Sequence, residues 1–198
     1  MLLSKGHQVA FWGMDHPLNE KYPYQEHFIA YTDFNKSYNV FNKVKMSVNM
    51  LYSLEAKKKI GCTIETLRPD IVHLNNFAHQ ISPSILPVLK RAKIPAIMTM
   101  HDYKLVCPVY TLWINGKPCE KCANRKFYHC FISRCAKSSY SKSLLNTIEM
   151  YLHHSILHIY DLIDTFISPS EFLKAKIKEM GFKREVKYLP YFINSDDY

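Results

Sequence analysis

The chain has no stretch approaching the ~20 consecutive apolar residues that a bilayer-spanning helix needs. Its first residues carry no basic region followed by an apolar core and a small-residue cleavage site, so no secretory leader is read there. Internal repeats and low-complexity linkers are also missing. These absences point to a cytoplasmic protein, soluble or held peripherally at the inner face of a membrane. Acidic residues are in short supply: 17 Asp and Glu stand against 26 Lys and Arg, a formal charge of +9. That imbalance suits an anionic partner such as a phosphorylated sugar, a lipid head group or nucleic acid, and does not choose among them. What the chain does have is a 47% hydrophobic content over 198 residues, enough to bury the core of one domain. Six cysteines in a cytosolic chain do not make a disulfide scaffold, and five of them fall between Cys107 and Cys135.

Short β-rich runs alternate with longer segments of helical period, the pattern of a parallel sheet with crossover helices. Strands are predicted at Gln8 to Trp12, Asp70 to Leu74, Pro95 to Met100, Asp164 to Ser168 and Val186 to Pro190. Helices are predicted at Val40 to Leu67, Pro83 to Ala92, Ser141 to Leu162 and Pro169 to Met180. Ser168 is placed to cap the last of these, with Pro169 where no amide donor is needed and Glu171 completing a capping box; Ser82-Pro83 repeats the first two elements. Gly181 reads as a helix stop, and Gly6 as a cap between one last helical turn and the first strand. The tail from Tyr191 to Tyr198 is aromatic and polar, as at the entry into something further.

The strand from Pro95 ends on an ionisable pair, His101-Asp102. In α/β proteins ligands gather at the carboxyl ends of strands, which makes His101 the first candidate for chemistry; a histidine there can equally satisfy loop backbone. His73, inside its predicted strand, reads as a buried core histidine. His154, His158 and Asp161 share one side of the long helix at spacings able to bind a metal, but a polar helix face is the expectation.

Five segments in order, Arg68 to Asn76, Pro83 to Leu86, Met98 to Tyr103, Phe166 to Leu173 and Leu189 to Asn194, resemble the N-terminal domain of family 4 glycosyltransferases. The resemblance covers most of the chain. It implies the first half of a two-domain GT-B enzyme, a Rossmann-like parallel sheet with helices on both faces. Such enzymes move a sugar from a nucleotide-sugar donor to a glycan or lipid-linked acceptor, with retention of configuration and without a required metal. They open with a strand and a glycine-rich phosphate loop and carry the donor site in a C-terminal domain. This sequence contains neither, so residues 1–198 read as an acceptor-side domain truncated at both ends and inactive alone. Carried over, His101 faces the reacting sugar and stabilises charge as the bond to the leaving phosphate lengthens. Asp102 orients the imidazole or binds an acceptor hydroxyl, or is a loop carboxylate. Asn75 and Asn76, with Tyr103, sit where acceptor hydroxyls could be read, the alternative for the asparagines being a turn.

Residues 104–139 form a cysteine-rich insertion. Cys119-x-x-Cys122 with Cys130 and Cys135 has structural-zinc spacing, with Cys107 and His129 as spare ligands; a redox pair or plain reduced thiols fit the same spacing. From Lys117 to Lys142 seven basic residues face only Glu120, interleaved with Phe127, Tyr128 and Phe131. An anionic membrane, a lipid diphosphate or nucleic acid would suit this surface, as would plain solvation. Specific nucleic-acid binding is not expected, because the transferase-like segments lie outside the insertion. Two further readings stay open: a non-catalytic subunit that needs a separate donor-binding chain, and a zinc-stabilised nucleic-acid module.

Overall fold

The computed structural model describes residues 2–32, 39–78 and 81–192. At the N-terminal end, Leu3–Lys5 form one 3-10 turn that Gly6 ends at φ 83°, as the glycine-cap reading expects. The predicted strand from Gln8 to Trp12 does not form. The Trp12 indole donates to the His27 carbonyl and the Phe11 amide to the Tyr24 hydroxyl, so side-chain contacts hold this run, with which no strand pairs among the described residues. Regular pairing begins only at β1 (Met14–Asp15), which runs parallel to β2 (Ile29–Ala30).

The long helix expected from Val40 to Leu67 is two helices, α1 (Val40–Leu51) and α2 (Leu54–Leu67). Tyr52 between them is extended, and the Ser53 hydroxyl accepts from the Ala56 amide, supplying a fresh N-cap where a continuous helix would have needed none. The Ser84 hydroxyl donates to the Ser53 carbonyl at 2.8 Å, which fixes this corner against the next element. β3 (Val72–Asn75) follows α2. Ser82 then caps a 3-10 turn with Pro83 in the first position, as expected, and the turn runs into α3 (Leu86–Arg91).

β4 (Ala96–Thr99), a hairpin of β5 (Trp113–Ile114) and β6 (Lys117–Pro118), and two helices, α4 (Tyr128–Ile132) and α5 (Tyr140–Tyr151), come next. The expected helix to Leu162 does not continue regularly. α5 passes into a π turn over Leu152–Ile156, His158 adopts a left-handed φ of 48°, and a 3-10 turn covers Ile159–Leu162. β7 (Thr165–Ser168), α6 (Glu171–Glu179) and β8 (Val186–Tyr188) complete the order. The cap of α6 is Ser170, not Ser168, whose hydroxyl donates to the Ser170 carbonyl. Gly181, at φ 96°, ends α6 in a Schellman arrangement: Phe182 N donates to Ile177 O and Gly181 N to Lys178 O. A Cβ at Gly181 would stand 2.5 Å from Asn124 Oδ1, so the insertion packs onto this helix end only because the residue is glycine.

The main sheet has four parallel strands in the order β3-β4-β7-β8, flanked by helices. Strands of a covered parallel sheet read as apolar runs, which is why these segments were visible in sequence. The core holds Leu74, Met98 and Phe166 from the strands against Leu86, Leu89 and Ile177 from the helices. Each such side chain contributes about 1.5–3 kcal/mol by leaving water. The Asp164 carboxylate accepts from the Ala96 amide at 2.9 Å and pairs with Lys90, tying the starts of β7 and β4 together. The tail from Ile193 to Tyr198 lies outside the described residues.

Candidate active site at the carboxyl end of the sheet

β3 and β4 run in register, with His73 opposite Ile97 and Asn75 opposite Thr99. Alternate residues share a face, so His73 and Asn75 stand beside Thr99 and His101. Two diagonal hydrogen bonds result. His73 Nε2 lies 2.7 Å from Thr99 Oγ1, and His101 Nε2 lies 2.8 Å from Asn75 Oδ1. A third partner comes from far along the chain: Tyr191 Oη is 2.6 Å from His101 Nδ1, and the two rings are nearly parallel at 11°. Both ring nitrogens of His101 are thus engaged, Nε2 by the Asn75 side-chain oxygen and Nδ1 by the Tyr191 hydroxyl, which fixes the orientation of the imidazole.

His101 and Asn75 are exposed, so the pair faces solvent at the mouth of the sheet. His73 corrects the core expectation: it too is exposed, because the edge of β3 carries no neighbouring strand among the described residues. Its imidazole is held below the ordinary value, by partial desolvation first and by the neighbouring His101 second. Asp102 bonds within its own loop. Its Oδ1 accepts from the Lys104 amide at 2.8 Å and so closes the turn that follows His101. Tyr103 packs against the core and its amide donates to the Tyr110 carbonyl, while Asn76 takes the left-handed conformation at φ 41° where the chain leaves β3.

Behind the site is a buried ion pair. Lys104 Nζ donates to Glu149 Oε2 at 2.6 Å and to the Pro108 carbonyl at 3.3 Å, with the two side chains 5% and 0% exposed. His153 Nδ1 lies 3.9 Å from the other carboxylate oxygen, and its Nε2 contacts the Leu51 carbonyl at 2.7 Å. This network ties the loop bearing His101 to α5 and to the end of α1. His154 does not belong to a polar face. The π turn rotates it into the core between Phe127 and Tyr160, where burial foremost lowers its pKa to about 3, and its Nε2 has no hydrogen-bond partner among the described residues. His158 is exposed and pairs with Asp161 at 3.6 Å.

The insertion brings Cys107, Cys119, Cys122, Cys130 and Cys135 around one small cleft beside the β5–β6 hairpin. All are free thiols, and among the described residues no three His, Cys, Asp or Glu side chains stand in an arrangement that would hold a metal ion. Cys130 is fully buried, with its Sγ 3.9 Å from the Ser143 carbonyl. Its hydrogen bond to Cys135 pushes its own pKa up and brings Cys135 down to about 7. Desolvation, with the neighbouring thiols behind it, raises Cys122 to about 12.

The profile of glycosyltransferase family 4 matches residues 1–197. The chain belongs to glycosyltransferase family 4. A curated relative, an uncharacterised 42.6 kDa protein in the cps region of Klebsiella pneumoniae, is 26% identical over 201 residues, covering 96% of this chain and 47% of that protein. The chain thus spans about half the length of that relative. No solved structure matches it.

Within this family 4 domain, the parallel sheet accords with a Rossmann-like GT-B half. Of the residues singled out from sequence, the fold brings His101 and Asn75 into contact and leaves Asp102, Asn76 and Tyr103 in the loops around them. Sequence reasoning missed Thr99, His73 and Tyr191. The first two were legible, since His73-x-Asn75 and Thr99-x-His101 repeat at the strand period. Tyr191 had no local signal, because 90 residues separate it from His101.

Proposed function

We propose that this chain is the acceptor-side half of a retaining glycosyltransferase that moves a sugar from a nucleotide-sugar donor to a glycan or lipid-linked acceptor in polysaccharide biosynthesis. The observation that carries the reading is the imidazole of His101, fixed at the carboxyl end of a parallel sheet by Asn75 and Tyr191. Family membership supplies the reaction class. The relative's place in a cps region favours a polysaccharide product.

In the transfer, the bond from the anomeric carbon to the leaving phosphate breaks and its electron pair departs with the phosphate. The acceptor oxygen bonds to the same face of that carbon, and its hydroxyl proton goes to the leaving phosphate. The sugar carries positive charge in between. The His101 imidazole, hydrogen-bonded to a sugar or acceptor hydroxyl, helps to stabilise this stage. Asn75 is the group that yields Nε2 to substrate, while Tyr191 keeps the ring oriented through its contact with Nδ1. The proposed transfer is written without a metal ion.

The test is the stereochemistry of the product. The full-length product of the gene, given a panel of nucleotide sugars and an extract of lipid-linked and free glycan acceptors, is expected to form a glycoside with the anomeric configuration of its donor, read by NMR. A product of inverted configuration would refute the retaining mechanism, and absence of transfer across the panel would refute the activity.

A further inference from the structure

The surface of α4 and α5 carries apolar side chains that the fold leaves without a partner. Along α5, Ser143, Thr147 and Met150 turn inward, while Tyr140, Leu144 and Ile148, one every fourth residue, are 57%, 43% and 46% exposed. α4 adds Ile132, 62% exposed, and Phe131. The two stripes are continuous: the rings of Phe131 and Tyr140 lie 5.6 Å apart, and the Arg134 guanidinium stands 5.2 Å over the Tyr140 ring. α1, which packs beside α5, has the same double character. Met50 is buried, yet Phe41, Val44 and Val48 each remain more than half exposed.

Charge around this surface has one sign. From Lys121 to Ile148 the sequence has six Lys and Arg and no acidic residue, and the next acid, Glu149, is buried against Lys104. α1 likewise carries Lys43 and Lys45 and no acid. Exposed aliphatic and aromatic side chains ringed by bases are the composition of a helix face that lies in a bilayer interface: the apolar groups enter the acyl boundary and the bases stay among anionic head groups. A phosphate-backbone binder has use for the bases and the rings, but not for Ile132, Leu144 and Ile148.

We infer that the α4–α5 face, flanked by α1, seats this domain on an anionic lipid surface. The inference goes beyond the proposed transfer and does not depend on it, since its readout involves no sugar. It adds to that reading by setting the domain where a lipid-linked acceptor would be found.

The experiment is co-sedimentation of the purified protein with vesicles of phosphatidylcholine alone and of phosphatidylcholine with one third phosphatidylglycerol. Partitioning is expected to be at least tenfold stronger on the anionic vesicles and to fall severalfold between about 0.05 and 0.5 M salt. The double substitutions Leu144→Glu/Ile148→Glu and Lys137→Glu/Lys142→Glu are each expected to reduce binding at least tenfold with unchanged circular dichroism and thermal midpoint, because all four side chains are exposed. Phe41→Glu/Val44→Glu tests the α1 flank in the same way. Equal binding to both vesicle types, or anionic binding that survives Leu144→Glu/Ile148→Glu, would overturn the inference. So would single-stranded RNA that competes fully and whose own binding depends on Lys137 and Lys142 but not on Leu144 and Ile148; that result would assign the face to nucleic acid.

Discussion

Replacing Lys104 by methionine tests how the loop that bears His101 is held. The ammonium and the Glu149 carboxylate are 2.6 Å apart, 5% and 0% exposed, and Lys104 also bonds the Pro108 carbonyl. Methionine keeps most of the side-chain volume and removes the charge, which leaves a carboxylate in the core with its strongest partner gone. Breaking a buried pair from one side costs about 3–5 kcal/mol. For a chain of this size 1 kcal/mol moves the thermal midpoint by about 2–4 °C, so Lys104→Met is expected to lower it by roughly 6–20 °C. The double variant Lys104→Met/Glu149→Gln should recover part of that loss, because no isolated charge is left behind. Calorimetry or thermal circular dichroism at neutral pH on the four members of the cycle gives both numbers. A loss below about 1 kcal/mol in Lys104→Met, the range of exposed pairs, would show that the pair is solvated and does not anchor the loop.

Three further outcomes are expected. His154 is neutral in the folded chain, with its pKa near 3, whereas the unfolded chain takes up its proton near the ordinary histidine value of about 6.5. Stability therefore falls as pH drops below about 6.5 and continues to fall towards pH 3; His154→Leu should flatten this limb of the midpoint-versus-pH curve in part, with His153, His73 and Asp164, all lowered in the folded chain, contributing to what remains. An unchanged limb would place His154 in contact with water. Cys135 should be the first thiol alkylated, with a rate midpoint near pH 7, and Cys130→Ala should move that midpoint up towards the ordinary thiol range; uniform reactivity across the insertion would contradict the coupled pair. Tyr191→Phe keeps the ring and removes the hydroxyl that contacts Nδ1, so kcat should fall roughly tenfold, the lower end for loss of a group that orients a functional histidine, with little change in thermal midpoint. An unaltered kcat would make Tyr191 a bystander.

Much of this architecture was legible because a covered parallel sheet writes itself as apolar runs. β3, β4, β7 and β8 lie within the predicted strands or one residue past them, and the Ser82-Pro83 start and Gly181 stop carry local capping chemistry that tertiary packing leaves alone. The errors fall where distant groups decide. Ser53 breaks the helix at a residue whose carbonyl is claimed by Ser84, 31 positions on. His154 is core because a π turn shifts the register of α5, and nothing in the helical period announces an extra residue per turn. Gln8 to Trp12 has strand composition but no strand beside it among the described residues, and pairing is a property of the partner as much as of the run. At the candidate site, the strand-end rule singled out His101 from position. The tyrosine that contacts its ring comes from beyond β8, and only the folded chain brings the two together.

The central claim is that His101 touches the reacting sugar. The most direct measurement is steady-state sugar transfer by His101→Ala in the full-length gene product, alongside its thermal midpoint. His101 is exposed, so the substitution should leave the midpoint within about 2 °C. The turnover number should fall by more than tenfold, as for a contact made in the transition state. Turnover near that of the unaltered protein, with the fold intact, would remove His101 from the chemistry and the account with it.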